Sequence, residues 1–402
     1  MTDREAFTSS RLAIPALAFG AFGIGVTEFS PMAVLPVIAG GLHISVAKAG
    51  LLVSAYAIGV TIGAPLMTLT TTRMARKHLL LLLMALFTVG NLLSGLSPGF
   101  VGLAAARIIT ALCHGTFFGA GAIVASKIVP PDKSASAVAA MFMGLTIANI
   151  AGVPAAAWAG DIIGWRALFL LTAAYGLVTI GILQYSLPAV GGETPIDAGA
   201  EVRALGSTSV LLALAVTTLQ SAAMFTPLTY IAKMLRDGAH VGTVMVSVVL
   251  VLFGIGLTIG NWLGGRFADR HLERTLVVTL VALAVLLVAM TFEMESPILM
   301  SIVVLAWGIA CFAMVPPLQL LVVRSAKNAP NLASSTNIGA FNLGNALGAG
   351  IGALILELDL GIRSLPLGGA VLAMCALAIV VGRGAYTRRA ERHGITVTAG
   401  GF

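Results

Sequence analysis

Residues 58–63 read Ile-Gly-Val-Thr-Ile-Gly, and residues 255–260 read Ile-Gly-Leu-Thr-Ile-Gly. The two stretches lie 197 positions apart (255 less 58), and at that offset Arg73 also matches Arg270 and Lys77 matches Arg274. Further on, Asn149 and Gly152 match Asn345 and Gly348 at an offset of 196. Apolar segments resemble one another by chance, but chance does not hold an offset constant through loops as well as runs. The chain is therefore read as two related halves, and parallel repeats of this kind are a transporter signature.

Composition names the solvent. Hydrophobic residues make up 58% of 402 positions and charged residues 10%, with a mean hydropathy of +1.01. A soluble domain carries about 25% charged residues, so this chain cannot cover a water-facing surface of ordinary size. The 46 glycines suit membrane helices, where small residues let backbones approach closely. Apolar runs of the ~20 residues needed to cross a bilayer predict twelve spans, α1 to α12 in chain order: 12–38, 47–72, 79–96, 101–129, 135–158, 165–187, 208–231, 242–264, 275–292, 298–323, 334–356 and 366–386. The expected fold is an all-α membrane protein with an N-terminal six-helix bundle (1–187), a linker (188–206) and a C-terminal six-helix bundle (207–402), the bundles related by a pseudo-two-fold axis. The linker is polar, with Glu193, Asp197, Glu201 and Arg203 among Gly and Pro. Residues 12–26 resemble a signal peptide only loosely and are read as an uncleaved first helix.

The net charge of +7 does not indicate nucleic acid, because the basic residues form no stripe with interleaved aromatics. They mark sidedness instead. Seventeen Lys and Arg fall in the even-numbered loops, the tails or the span ends beside them, five fall on the opposite side in the same way, and Arg107 alone lies deep inside a span. That bias puts both termini and the linker in the cytoplasm of a bacterium, and the spans in its inner membrane. Cys113, Cys311 and Cys375 lie in apolar runs without metal or redox spacing and are packing residues. No cofactor, metal site or nucleotide-binding loop is expected, and no His-x-x-x-His or Gly-x-Ser-x-Gly cluster points to an enzyme.

The loop after α8 carries Gly265, Phe267, Ala268, Asp269, Arg270 and Arg274. This resembles the Gly-x-Leu-Ala-Asp-Arg-x-Gly-Arg-Arg loop of the major facilitator superfamily, and the resemblance covers the whole chain. The copy after α2 is worn: Arg73, Arg76 and Lys77 remain, Thr72 stands where the family has Asp, and Ala75 where it has Gly. Arg107 corresponds to the family's α4 arginine. Gly144, Gly152, Pro154 and Gly160 on α5 resemble the antiporter Gly/Pro pattern, with Val153 interrupting the usual Gly-Pro pair. Thr27-Glu28-Phe29 followed by Leu35-Pro36 is similar to the drug:proton antiporter branch and, within it, to the arabinose-efflux-permease-like group. The resemblance implies alternating access and a cavity lined by α1, α4, α7 and α10. On those helices Thr27, Phe29, Thr110, Thr116, Phe117, Gln220, Ser221, Thr226, Tyr230, Trp307 and Gln319 are candidate substrate contacts, a mostly apolar set with a few hydrogen-bonding groups. Arg73, Arg76, Lys77, Asp269 and Arg270 of these loops, with Gly152 and Pro154, are candidates for gating. Asp269 is expected near the start of α5 around Ser134, since a helix N-terminus favours negative charge.

Of sixteen acidic residues only Glu28 lies well inside an apolar run, 17 residues past Arg11. That is roughly 25 Å along a helix rising 1.5 Å per residue. A buried ionised carboxylate costs several kcal/mol unless it is paired, so Glu28 must carry a proton or meet a cation. Either suits a proton carrier, and a fixed ion pair is the plainer alternative. Arg107 stays charged and needs a carboxylate, helix carbonyls or an anionic substrate. His114, seven residues on and about 10 Å deeper on the same helical face, is either a proton relay or a hydrogen-bonded packing residue. Asn149 and Asn345 are read as hydrogen-bonding glue between helices, and the glycines of α11 as close packing. The expected function is efflux of small organic molecules (drug, sugar or nucleoside-like) by proton antiport, with small-molecule substrate, protons and the bilayer as partners and a monomer as the unit. A proton-independent facilitator or a proton-symport importer of a neutral metabolite is the alternative.

Overall fold

The computed structural model describes residues 3–71, 74–130, 134–188, 206–326 and 330–392, and every regular element among them is helical. Among the described residues eleven helical stretches are long and apolar enough to cross a membrane. One of them, Ala140–Ser186, has 47 residues, or about 70 Å of helix, more than twice a hydrocarbon core of ~30 Å. At Gly164 the backbone leaves the helical region (φ 80°, ψ 159°), a left-handed conformation that glycine adopts at little cost. The stretch is therefore two passes, and the described chain makes twelve. His271 (φ −147°, ψ 75°) breaks the long helix Thr243–Phe292 in the same way.

The passes are α1 (Asp3–Ala33, resuming as Leu35–Leu42), α2 (Val46–Thr70), α3 (Arg76–Leu96), α4 (Phe100–Ala111 and His114–Lys127), α5 (134–163) and α6 (165–186). They continue with α7 (Thr208–Leu228, running on to Gly238), α8 (Thr243–Ala268), α9 (Arg270–Glu295), α10 (Pro297–Ala313 and Val315–Ser325), α11 (Pro330–Glu357) and α12 (Ser364–Arg392). Lipid-facing positions such as Ile62, Trp158, Leu177, Trp262 and Val278 are apolar and exposed. Residues 189–205, most of the expected linker, and Thr72 and Arg73 lie outside the described residues. So do the side chains of Ser134 and Asp269.

Contacts divide the chain into two compact units. One comprises Met1–Ser45 with Ala55–Ile196, and the other Val46–Ser54 with Asp197–Phe402. In the first unit α1 packs on α5, and α3 on α6 and α4. The glycines of α5 explain the first pairing. A Cβ at Gly144 would collide with the Ala18 carbonyl, at Gly152 with Val26, and at Gly160 with Val34. Three glycines eight residues apart thus track three α1 positions eight residues apart. A five-residue π-turn at Ala148–Gly152, just before Pro154, lets α5 keep that face turned to α1. In the second unit α7 packs on α11 in the corresponding manner, with Gly344 against the Thr218 carbonyl and Gly348 against that of Ala222. The first turns of α2 belong to this unit, where Ser54 Oγ donates to the Ala346 carbonyl at 2.9 Å.

The repeated hexapeptide does the same work twice. Gly59 lies against Ile108 and Gly63 against Leu112, joining α2 to α4. Gly256 lies against the Leu305 carbonyl and Gly260 against that of Ile309, joining α8 to α10. The contacted residues, 108 with 305 and 112 with 309, keep the offset of 197. The internal repeat is therefore a repeat of packing as well as of letters.

Four passes are interrupted rather than continuous. These are α1 at Val34, α4 at Leu112–Cys113, α7 at Thr229–Tyr230 and α10 at Met314. For α1 and α7 the cause is proline, which lacks an N–H and clashes with the carbonyl four residues back. Pro31 and Pro227, 196 apart, each precede a residue near the bridge region: Val34 (φ −105°, ψ 13°) and Tyr230 (φ −110°, ψ 15°). In α10 the second segment opens with Pro316 and Pro317.

Candidate functional site

Helix α1 supplies the central groups because Pro31 leaves the Thr27 carbonyl without its intrahelical donor. Arg107 of α4 fills the vacancy, donating from Nη1 to the Thr27 carbonyl at 2.7 Å. Its guanidinium also lies 4.1 Å from the ring centroid of Tyr56 (α2) and 5.9 Å from that of Phe169 (α6). Arg107 is 1% exposed, yet its Nε and Nη2 have no hydrogen-bond partner. One carbonyl and an aromatic face hold a full positive charge that still has two donor atoms unsatisfied.

Glu28, next to Thr27, is 5% exposed and is the one buried carboxylate among the described residues. His114 Nδ1 lies 3.9 Å from Glu28 Oε2 and 3.1 Å from Tyr56 Oη. The phenol donates when that nitrogen is bare and accepts when it carries a proton. The α4 break at Leu112–Cys113 sits between Arg107 and His114, and the first meets the ring face of Tyr56 while the second meets its hydroxyl. Among the described residues no carboxylate stands within ion-pairing distance of Arg107. Glu28 is therefore close to a cation it does not touch and to an imidazole able to exchange a proton. The hydroxyl of Thr27 donates to Asn91 Oδ1 of α3 at 2.6 Å, and Asn91 Nδ2 returns to the Phe87 carbonyl at 2.9 Å. The cluster thus draws on α1, α2, α3, α4 and α6, all within the first unit.

The remaining candidates are placed as follows. Thr110 is buried and donates to the Ala106 carbonyl, and Phe117 sits in the first unit's core against Gly20. Phe29 is buried on α1. In the second unit Gln220 donates to the Cys311 carbonyl at 3.1 Å and leaves Oε1 unpartnered, as Trp307 leaves Nε1. Gln319 Oε1 accepts from Asn337, which in turn accepts from Thr217. Tyr230 donates to the Ala349 carbonyl at 2.9 Å. Asn345 accepts from Ser221, joining α11 to α7, whereas Asn149 returns to the Leu145 carbonyl of its own helix. Of the loop residues, Lys77 donates to the carbonyls of Gln184 and Leu187 and closes the end of α6, Arg76 is buried, and Arg270 is exposed. Sequence reasoning did not single out Tyr56, Asn91 or the Thr27–Pro31 spacing. The last is visible in the sequence as a proline four residues past the carbonyl it frees.

Among the described residues no group of His, Cys, Asp and Glu could hold a metal ion. A sequence profile of the Major Facilitator Superfamily matches residues 17–353. The chain is 50% identical over 365 residues to the inner membrane transport protein YdhP of Escherichia coli K12, covering 91% of this chain and 94% of that one. It is 31% identical over 380 residues to a probable sugar efflux transporter of Haemophilus influenzae PittGG, covering 94% of each. The fold matches the crystal structure of a D-xylose–proton symporter with a TM-score of 0.73 at 15% identity, covering 93% of this chain and 97% of that one.

Proposed function

The chain belongs to the major facilitator superfamily, in the arabinose-efflux-permease-like group, and from that premise we propose that it exports small organic molecules in exchange for protons. At the coarser level it is a multi-pass membrane transporter whose relatives transport rather than catalyse. The observation that carries the proton reading is the buried Glu28 carboxylate, 3.9 Å from His114 and beside an Arg107 with two donors unfilled. Protonated, Glu28 removes the cost of a buried charge and lets the unit pass through an occluded state. Ionised, it is compensated by Arg107. His114, hydrogen-bonded to Tyr56, is the relay. The glycine face of α5 and the name of the sugar efflux relative favour export. Substrate contacts are assigned to the four interrupted helices, since broken helices supply the sites of secondary transporters: Thr27, Phe29, Thr110 and Phe117 in the first unit and Gln220, Tyr230, Trp307 and Gln319 in the second. Arg73, Arg76, Lys77, Asp269, Arg270, Gly152 and Pro154 are assigned to gating.

The test is pH-driven efflux from proteoliposomes with Glu28→Gln, which mimics the neutral form. The variant loses gradient-driven export and keeps substrate–substrate exchange. In the wild type, a proton and a substrate that oppose each other weaken substrate binding as pH falls, by at most about tenfold per pH unit for one proton, and Glu28→Gln flattens that slope. A Gln variant that pumps at the wild-type rate with the wild-type pH dependence makes Glu28 structural.

A further inference from the structure

The α9–α10 side of the second unit carries a feature the transport reading does not use. Arg274 and Glu273, in the first turns of α9, line a cavity of about 380 Å³ together with Arg324 at the end of α10 and His271 at the α8–α9 bend. Both arginines are exposed, and among the described residues neither guanidinium is engaged by a hydrogen bond or ion pair. Next to it, an apolar crevice of about 230 Å³ runs along α9 past Thr275, Val278, Ala282 and Leu286, walled by Phe267 of α8 and Ala310 of α10. The two have no lining residue in common but border one another along α9, where Leu276 lines the cavity and Thr275 the crevice. From Arg274 to Leu286 the helix rises about 18 Å, roughly half the thickness of a bilayer. On α8, exposed Arg266 stacks 5.6 Å over exposed Trp262, a pairing suited to the headgroup level. A charged cavity at the end of α9 beside an apolar slot that follows the same helix for about 18 Å matches the polarity of a diacyl lipid, charged at one end and apolar along its length.

We propose that this surface binds one anionic glycerophospholipid with a hydroxylated headgroup, its phosphodiester on Arg274 and Arg324, the headgroup hydroxyls on Glu273, and one acyl chain in the crevice along α9. The choice of headgroup follows from charge. Two arginines and one carboxylate leave one positive charge, which a headgroup of net −1 neutralises and a zwitterionic one does not.

The test uses the full-length protein, delipidated in neutral detergent, with binding read by native mass spectrometry and by thermal unfolding. The probes are dioleoyl phosphatidylglycerol, dioleoyl phosphatidylethanolamine and inorganic phosphate. Phosphatidylglycerol binds as a single retained lipid and raises the unfolding temperature more than phosphatidylethanolamine does, while phosphate alone gives little. Arg274→Gln and Arg324→Gln each weaken phosphatidylglycerol about fivefold, from the worth of one basic residue at a charged membrane surface. Val278→Trp, at an exposed crevice position, blocks the acyl slot and weakens both lipids without changing the response to phosphate. Equal retention of the two lipids in the wild type, or no loss in the double arginine variant, overturns the proposal. Saturation by phosphate alone would make the cavity a free-anion site and overturn the lipid reading. Should Val278→Trp fail to fold, displacement of bound phosphatidylglycerol by phosphatidylethanolamine in the wild-type protein decides the selectivity by itself.

Discussion

Tyr56 joins Arg107 and His114 of α4, and its two contacts can be separated by substitution. Its ring lies 4.1 Å beneath the Arg107 guanidinium, and its hydroxyl meets His114 Nδ1 at 3.1 Å. Tyr56→Phe keeps the ring and deletes the hydroxyl. The cost is one buried neutral hydrogen bond, about 1 kcal/mol, and a His114 that has lost the group fixing its ring. Tyr56→Leu also deletes the aromatic face. A desolvated cation–π contact contributes about 2 kcal/mol, and Arg107, 1% exposed, has no water to turn to. The Leu variant is therefore expected to fall about 2 kcal/mol below the Phe variant.

Unfolding in a fixed detergent, followed by tryptophan fluorescence against denaturant, measures the order wild type, Phe, Leu. Pumping in proteoliposomes gives a different order of information. On the proposed mechanism the Phe variant is expected to export more slowly, through disturbed proton transfer at His114, while its substrate affinity at a fixed pH stays near wild type. The reasoning fails if Phe and Leu are equally stable, since Arg107 would then draw nothing from the ring. It fails equally if Tyr56→Phe pumps at the wild-type rate, since His114 would then need no partner at Nδ1.

Gly260→Ala pushes a methyl group into the Ile309 carbonyl and is expected to cost 1–3 kcal/mol, as overpacking of a tight contact typically does. Gly63→Ala, whose nearest obstacle is the flexible end of Leu112 at 2.9 Å, costs less; the two midpoints on one denaturant series check the order. Both termini are expected on the cytoplasmic face, so cysteines introduced at Thr2 and Phe402 in whole cells stay unlabelled by an impermeant maleimide until the membrane is opened. Labelling of either one in intact cells refutes the sidedness read from the basic residues.

The twelve passes and the repeat could be read from the sequence because each rests on a local property: an apolar run of sufficient length, or identical letters at a constant offset. Glu28, Arg107 and His114 could be named because a charge or an imidazole in an apolar run stands out on its own. Tyr56 and Asn91 could not. A tyrosine and an asparagine in membrane helices are common, and only the tertiary approach of α2 and α3 to α1 gives them a role. The interruption of α4 at Leu112–Cys113 and the π-turn in α5 were likewise hidden, since neither leaves a periodic trace. The close approach of Arg107 to the Thr27 carbonyl lies between these cases. Pro31 announces a freed acceptor, but nothing local says which donor, eighty residues later, will take it.

That freed carbonyl also shows how the two units diverged. The proline recurs at Pro227, and it leaves the Ala223 carbonyl in the same condition. In the second unit, however, the position matching Arg107 is Val304, and the one matching His114 is Cys311. Among the described residues no guanidinium is bonded to the Ala223 carbonyl; Gly369 of α12 packs over it instead. The equivalent of Glu28 on α7 falls among Met224 and Phe225, both buried and apolar. Hence the bend, the glycine contacts and the helix pairings are common to both units, while the titratable groups are confined to one. A bend that frees a carbonyl is useful in any broken helix, because it shortens the rigid segments on either side. A buried cation and carboxylate are costly in lipid, and the proposed exchange of one proton needs only one set. Placing Arg107 and His114 on α4 alone therefore meets the chemical need once and leaves α10 with Trp307 and a Gln220 contact, groups suited to a neutral or amphipathic substrate.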